Sequence, residues 1–134
     1  MFNNKNKFHQ EVTHLEESKK IAGTIAKTLE NKKAKDIILL NLHEVTTIAD
    51  YFVIASGGSS IQVKALADEV DKKMSEMDIN LHHKEGYSDS RWVLLDYGFV
   101  VVHIFREDSR TYYDLERLWR DADKINHEPT FNNT

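Results

Sequence analysis

Few residues in this sequence have both the type and the spacing that catalysis or metal binding needs. The turn Gly57-Gly58-Ser59 lies between an apolar run and a helical pattern. Backbone amides at such a turn could cradle a phosphate, or the serine could cap the helix that follows. The lysine and the spacing of a P-loop are missing, which favours the helix cap.

The same turn raises the alternative of a nucleotide-binding or nucleotidyltransferase-like enzyme. Nucleotidyl transfer requires two or three carboxylates on adjacent strands to hold magnesium. The strand pattern here offers only Asp96, between Leu95 and Tyr97. No serine lies in a Gly-x-Ser-x-Gly elbow. We therefore predict that the protein is not an enzyme and has no catalytic residue, with the nucleotide-binding function at Gly57-Gly58-Ser59 kept as the alternative.

The histidines do not form a metal-binding pattern. His82 and His83 are adjacent, and adjacent residues of a strand point to opposite faces, so they cannot easily share one ion. Glu85 shares a face with His83, but no third ligand follows from the sequence. His103 lies in the middle of an apolar run, which is typical of a buried core histidine. We predict no metal and no cofactor.

The stretch from Glu85 to Phe105 must position the remaining candidate residues. It has the composition of two β-strands joined at Tyr97-Gly98. The second strand is apolar on both faces, which predicts a central position in a sheet. The first strand alternates, so Trp92, Leu94 and Asp96 share one face. This mixture is unusual for a core face and makes the strand a candidate binding surface, with the aromatic as anchor and the carboxylate at its rim. A helix could equally cover Trp92, and the pattern leaves both possibilities open.

The other elements follow the order α-β-β-α-β-β-β-α. A capping box at Thr13–Glu16 predicts a helix over roughly 14–31, and a second box at Ser59–Gln62 predicts the helix after the turn. The link between the first two strands is too short for a crossover helix, so we expect an antiparallel pair. The predicted fold is α/β (α+β), a single domain with a mixed five-stranded sheet and helices packed on it. The remaining assignments are strands at 37–42, 51–56 and, at a sheet edge, 79–85; helix core positions Val63, Leu66, Ala67, Val70, Met74 and Met77; and a last helix capped by Asp108 or Ser109, with Tyr112, Leu115, Leu118, Trp119 and Ala122 on one face.

Composition limits the class of protein and its partners. A chain of 134 residues fits one domain with a sizeable core. The chain has no cysteine, no apolar run of about 20 residues and no apolar stretch in its first ten residues, so we expect a cytoplasmic protein that does not enter a membrane. The net charge of −4 argues against general nucleic-acid binding. It is compatible with a basic protein partner, because an acidic surface speeds encounter with one.

Four blocks of the sequence resemble a known family. They are Thr47–Gly57, Gln62–Val70, Glu85–Phe105 and Tyr113–Trp119. Together, in this order and spacing, they resemble the Iojap-related ribosomal silencing factors over about residues 13–122. The resemblance implies a silencing-factor domain at 13–122. Outside it, the polar composition predicts a flexible N-terminal extension at 1–12 and a C-terminal tail at 123–134.

This resemblance implies a non-enzymatic translational repressor. Factors of this family bind the large ribosomal subunit through its ribosomal protein fourteen, block small-subunit joining sterically and damp translation when nutrients are short. They have a nucleotidyltransferase-like fold without the catalytic carboxylates, which agrees with the single Asp96. We expect a monomer or a weak homodimer with little or no direct reading of nucleic acid. The partner-binding candidates that the resemblance implies are Trp92, Leu94, Asp96, Tyr97, Glu85 and Gly86.

Overall fold

Three helices and six strands make up the part of the chain that the computed structural model describes, residues 4–113 and 123–126. The first eight elements follow the predicted order α-β-β-α-β-β-β-α. In chain order the elements are α1 (Asn4–Asn31), β1 (Lys35–Asn41), β2 (Tyr51–Gly57), α2 (Ser60–Glu76), β3 (His83–Glu85), β4 (Trp92–Asp96), β5 (Val100–Arg106), α3 (Glu107–Tyr113) and β6 (Asp123–Asn126).

The strands form one mixed sheet in the order β3-β4-β5-β2-β1-β6. Only β2 and β5 are parallel among these neighbours, and α2 is part of the crossover that makes them so. The predicted antiparallel pairing of β1 with β2 is confirmed. The central position of β5 is also confirmed, because all six residues from Val100 to Phe105 are buried between β4 and β2. The mixed sheet of a single domain is therefore as the sequence predicts.

The structure corrects the strand count and several boundaries. Asp123–Asn126, assigned above to a tail, pairs with β1 as a sixth strand; a four-residue polar segment has no alternation long enough to reveal it. Helix α1 starts at Asn4, so Thr13 is inside the helix and does not cap it. Good helix formers such as lysine, glutamine and glutamate extend the helix there without an apolar pattern.

The last predicted helix lies only partly in the described residues. Helix α3 starts at Glu107, so Asp108 and Ser109 lie in its first turn and are not its caps. The core positions proposed from Leu115 to Ala122, and the tail from 127 onward, lie outside the described residues. The boundaries of the extension, domain and tail stay predictions.

Helices α1 and α2 pack on one face of the sheet. Ser59 caps α2 as predicted, with its Oγ accepting the Gln62 N–H at 3.1 Å. Met77 is 40% exposed and ends the helix, so its assignment to the core is wrong. The other five core positions of α2 are confirmed. The cluster on this face includes Ala22, Ile25 and Leu29 from α1, Val63, Leu66, Ala67, Val70 and Met74 from α2, and Val53, Val93, Leu95, Val102 and Ile104 from the sheet.

The opposite face of the sheet carries a second, smaller apolar cluster. Its buried residues come from β1, β2 and β5 and from the loop between β1 and β2. Trp92 and Leu94 of β4 pack against this cluster but are only partly buried. The two faces of β4 therefore belong to different environments. The buried members of the second cluster are Leu40, Leu42, Ala49, Phe52, Ile54, Val101 and Phe105.

Candidate functional site

The alternation predicted for β4 places its residues on two different faces. Trp92, Leu94 and Asp96 are half-buried, whereas Val93 and Leu95 between them are fully buried under the helices. Strand residues alternate by geometry, so the first three share one face. Within residues 4–113 and 123–126, no helix seals any of the three. Trp92 therefore remains in contact with solvent, although much of its ring is packed.

Edge strand β3 extends this face toward solvent. Glu85 pairs with Leu94 and His83 pairs with Asp96 in the antiparallel register, and paired residues project from the same side of a sheet. Both β3 side chains are exposed, and His83 Nε2 lies 2.8 Å from Glu85 Oε1. We call the five residues His83, Glu85, Trp92, Leu94 and Asp96 the edge face. It combines two apolar side chains with two carboxylates.

Gly86 allows the turn that brings β3 against β4. Its φ is +77°, a left-handed backbone conformation that favours glycine. A β-carbon at this position would collide with the carbonyl oxygen of Trp92. Gly86 therefore has a positioning role next to the edge face, and its backbone conformation is incompatible with a larger residue.

Asp96 is held in place by the β4–β5 hairpin. Its Oδ1 accepts the Gly98 N–H at 2.7 Å, and its carbonyl oxygen accepts the His82 N–H at 2.8 Å. The carboxylate is therefore oriented by the turn and is part of it. It contributes a fixed negative charge to the rim of the edge face.

Two neighbours from β5 fix the Trp92 ring. Phe105, its cross-strand partner, stacks on the indole with centroids 5.2 Å apart and an angle of 25°. The indole Nε1–H donates to His103 Nδ1 at 3.0 Å. His103 is buried, as predicted, and burial lowers its pKa to about 4. The sequence pattern marks His103 as core but gives no sign of this bond, because the bond depends on the register of the hairpin.

Tyr97 does not join the edge face, although it was one of the partner-binding candidates. It is 5% exposed and lies on the helix-covered face. Its hydroxyl donates to Asp71 Oδ1 of α2 at 3.0 Å. Burial, together with this bond, raises the pKa of Tyr97. The alternation along β4 explains the placement, since Tyr97 is an odd number of residues from Trp92, Leu94 and Asp96.

The glycine-serine turn before α2 is occupied by its own hydrogen bonds. The Gly58 N–H donates to Gln62 Oε1 at 2.6 Å, and Ser59 Oγ accepts the Gln62 N–H. Ser60 Oγ accepts from Arg106 Nη1 at 3.1 Å. These bonds confirm the helix cap. They use donors that a phosphate would otherwise engage.

Another cluster of polar side chains surrounds Asp50 at the start of β2. Ser18 Oγ donates to Asp50 Oδ2 at 2.9 Å, and His14 Nε2 and His43 Nδ1 lie 3.2 and 3.6 Å from its two oxygens. Ser18 bonds the carboxylate and not a histidine, so the cluster lacks the serine–histidine bond of a nucleophilic triad. It joins α1, the β1–β2 loop and β2.

A groove of about 610 Å³ lies between α1 and α2, on the far side of the sheet from the edge face. Five lysines give the groove a positive charge: Lys20, Lys27, Lys32, Lys72 and Lys73. Glu69 and Glu76 offset part of this charge, and Lys32 Nζ lies 3.8 Å from Glu69 Oε1.

Within residues 4–113 and 123–126, no group of three histidine, aspartate or glutamate side chains has the geometry of a metal site. No helix in those ranges is long and apolar enough to cross a bilayer.

Comparison with known proteins gives consistent matches over most of the chain. The family model described as "Ribosomal silencing factor during starvation" matches residues 15–134. A ribosomal silencing factor of Halalkalibacterium halodurans is 45% identical over 75% of this chain and 86% of its own length, and one of Bacillus subtilis is 43% identical over 78% and 88%. A crystal structure of a protein from Chromobacterium violaceum superposes with a TM-score of 0.72 at 37% identity, covering 90% of this chain and 93% of that one.

These matches agree with the four sequence blocks and with the mixed sheet that they build. The family model covers the edge face, both strands of the β4–β5 hairpin and the α2 cap. The relatives match over most of their own lengths, so the likeness is not confined to one motif. The chain belongs to the Iojap-related ribosomal silencing factor family.

Proposed function

We propose that this protein silences ribosomes by binding the large subunit through the edge face and blocking the small subunit from joining. The observation that carries the proposal is the half-buried Trp92, held with Leu94 and Asp96 on a sheet face that no described helix seals. Tryptophan is a favoured anchor at protein interfaces. The names of the relatives and of the family model support the ribosomal target.

The chemistry of the edge face favours a basic protein as the direct partner. Glu85 is exposed on the edge strand, and Asp96 is fixed at the rim by the hairpin turn. With a net charge of −4 the whole chain would be attracted to a basic surface, which speeds encounter. We propose that the partner is ribosomal protein fourteen of the large subunit, as the family resemblance implies.

Silencing by this route is steric and needs no catalysed chemical reaction. A standard protein interface buries about 800 Å² on each partner, and a bound domain of 15.6 kDa projects well beyond such a patch. The projecting domain would occupy space that the small subunit needs. We further propose that the protein acts in the cytoplasm when nutrients are short, which agrees with the word "starvation" in the description of the family model.

Replacing the anchor tests this proposal directly. Trp92→Ala should leave the circular-dichroism spectrum unchanged and weaken co-sedimentation with purified Bacillus subtilis large subunits by roughly 30-fold, since truncating an interface anchor costs about 2 kcal/mol or more. Wild-type protein should keep added small subunits from joining in sucrose gradients, and Trp92→Ala should not.

A matched control comes from an apolar side chain away from the edge face. Ile61 in the first turn of α2 is 83% exposed, so Ile61→Ala should bind large subunits as the wild type does. Equal binding by wild type and Trp92→Ala would contradict the proposed surface. Unfolding of Trp92→Ala would instead place Trp92 among the residues that the core requires.

A further inference from the structure

His103 is a polar residue in the apolar run that makes up β5 from Val100 to Phe105. Every other residue between Val100 and Phe105 is valine, isoleucine or phenylalanine. The His103 side chain is 3% exposed, and its ring lies 4.5 Å from the ring of Phe52, measured between centroids. A leucine or phenylalanine would suit this environment without bringing any polar atom into it.

The bond to Trp92 fixes the protonation of the His103 ring. An indole N–H can only donate, so Nδ1 must accept, and in the neutral ring the proton is on Nε2. Burial keeps the ring neutral by lowering its pKa. In the part of the chain that the structure describes, Nε2 has no hydrogen-bond partner. A buried donor without an acceptor destabilises a fold, so packing alone does not account for a histidine here.

We propose that His103 is a positioning residue, which holds the indole of Trp92 in the orientation that the partner recognises. The stack on Phe105 sets the plane of the indole, and the bond to His103 Nδ1 sets the direction of its N–H edge within that plane. An anchor held in its binding orientation loses less entropy on docking, which raises affinity. This inference rests on the proposed function of the edge face.

The register of the hairpin explains why this histidine can reach the anchor. Leu94 is the direct cross-strand partner of His103, and Trp92 is the partner of Phe105. His103 and Trp92 are therefore diagonal neighbours on one face, a separation that long aromatic side chains can span. The bond therefore links the edge face to β5 through Trp92 and involves neither of the carboxylates, Glu85 and Asp96.

The state of the indole can be measured without any partner. In ¹⁵N spectra of the 134-residue chain, the Trp92 indole resonance is identified as the one missing from Trp92→Phe. We expect His103→Leu to shift this resonance and to speed exchange of the indole proton roughly tenfold, as loss of a bond of ordinary strength implies. An unchanged resonance and exchange rate would overturn the proposal.

A conservative replacement of His103 tests whether its hydrogen-bond acceptor, and not its imidazole ring as such, holds the indole of Trp92. The Oδ1 atom of asparagine is as many bonds from the β-carbon as Nδ1 of histidine, so His103→Asn retains an acceptor at this place. We expect His103→Asn to restore slow exchange of the indole proton, and His103→Leu not to. If His103→Leu does not fold, His103→Phe keeps an aromatic ring against Phe52 and replaces it in every comparison. Fast exchange in His103→Asn, equal to that of the apolar variant, would contradict the role of the acceptor.

Binding to Bacillus subtilis large subunits then tests whether the orientation matters. With Trp92 present, His103→Leu should weaken co-sedimentation about tenfold. In Trp92→Phe, which lacks the indole donor, the same replacement should cause no further loss, because the two residues act through one bond. A purely structural role for His103 predicts the same loss in both backgrounds, and that result would overturn the proposal.

The two proposals fail in different ways. If Trp92→Ala binds large subunits normally, the edge face is not the docking surface, whatever the indole resonance does. If Trp92→Ala loses binding but His103→Leu binds as the wild type does, the docking surface stands and His103 has no positioning role.

Discussion

The two faces of β4 are built from neighbouring residues but differ in how much of each is buried. On one face, Val93 and Leu95 are buried by helices from the same chain. On the other, Trp92 and Leu94 are packed from below by β5 and remain half-exposed above. The first face is completed by folding. The second is left open by every helix that the structure describes, which is why we propose that a partner completes it.

The difference arises from where the helices pack, not from the strand itself. Helices α1 and α2 lie on one side of the sheet, over β2, β4 and β5. On the other side, no described helix covers β4, and within the sheet its outer neighbour is β3, a three-residue strand whose residues are all exposed. A short polar edge strand discourages pairing with other strands. It also leaves the neighbouring face accessible to a partner.

The largest contrast is expected from the same substitution on the two faces. Leu95→Asp places an unpaired charge where the side chain is 1% exposed, and it should cost more than about 4 kcal/mol and prevent folding. Leu94→Asp places the charge on the edge face, where water can reach it. We expect Leu94→Asp to give a cooperative urea transition and to lose binding to large subunits.

The adjacent position is the control in this experiment, since both variants change leucine to aspartate in one strand. A cooperatively folded Leu95→Asp protein would mean that the helix-covered face tolerates charge, and the contrast between the faces would disappear. Failure of Leu94→Asp to fold would make both faces equally part of the core.

A smaller effect is expected from pH, through the histidine beneath the edge face. Burial lowers the pKa of His103 to about 4, whereas an unfolded histidine titrates near about 6.5. Between these values the unfolded chain binds a proton that the folded chain does not. Stability should therefore be greatest above about pH 6.5 and fall with decreasing pH, by on the order of 1 kcal/mol per pH unit from this residue.

Urea denaturation of wild type and His103→Leu, between about pH 7 and pH 5, measures this contribution. Other groups titrate in both proteins, so the difference between their slopes isolates His103. We expect the stability of the variant to depend less on pH than that of the wild type. Parallel curves would mean that His103 titrates normally in the folded protein and is not kept neutral by burial.

Sequence reasoning predicted the features that depend on nearby residues. The alternation of β4, the apolar run of β5 and the Ser59 cap each follow from a few consecutive residues, and all three are present. The start of α1 was missed, because polar helix formers continue a helix without an apolar signal. The sixth strand was missed because β6 gains its order from pairing with β1, which is distant in sequence.

The candidate site was predicted only in part, because some of its features depend on nearby residues and others on the pairing of strands. Trp92, Leu94 and Asp96 share a face by alternation alone, which the sequence gives directly. The bond between Trp92 and His103 requires the hairpin register, which no local pattern determines. The inclusion of Tyr97 with the contact residues came from the family resemblance, whereas alternation already placed it on the opposite face.

Tyr97 provides the smallest and most discriminating test of the two faces. Tyr97→Phe removes the hydroxyl that donates to Asp71 and leaves the ring in the core. We expect a loss of about 1 kcal/mol in the free energy of unfolding, as for an ordinary hydrogen bond, measured by urea denaturation. Because the hydroxyl points toward α2 and away from the edge face, co-sedimentation with large subunits should be unchanged. Weaker binding by a Tyr97→Phe protein of near-normal stability would mean that the partner reaches around the hairpin to the helix-covered side. The docking surface would then have to include the α2 end of β4, and the separation between a face completed by folding and a face completed by binding would no longer hold.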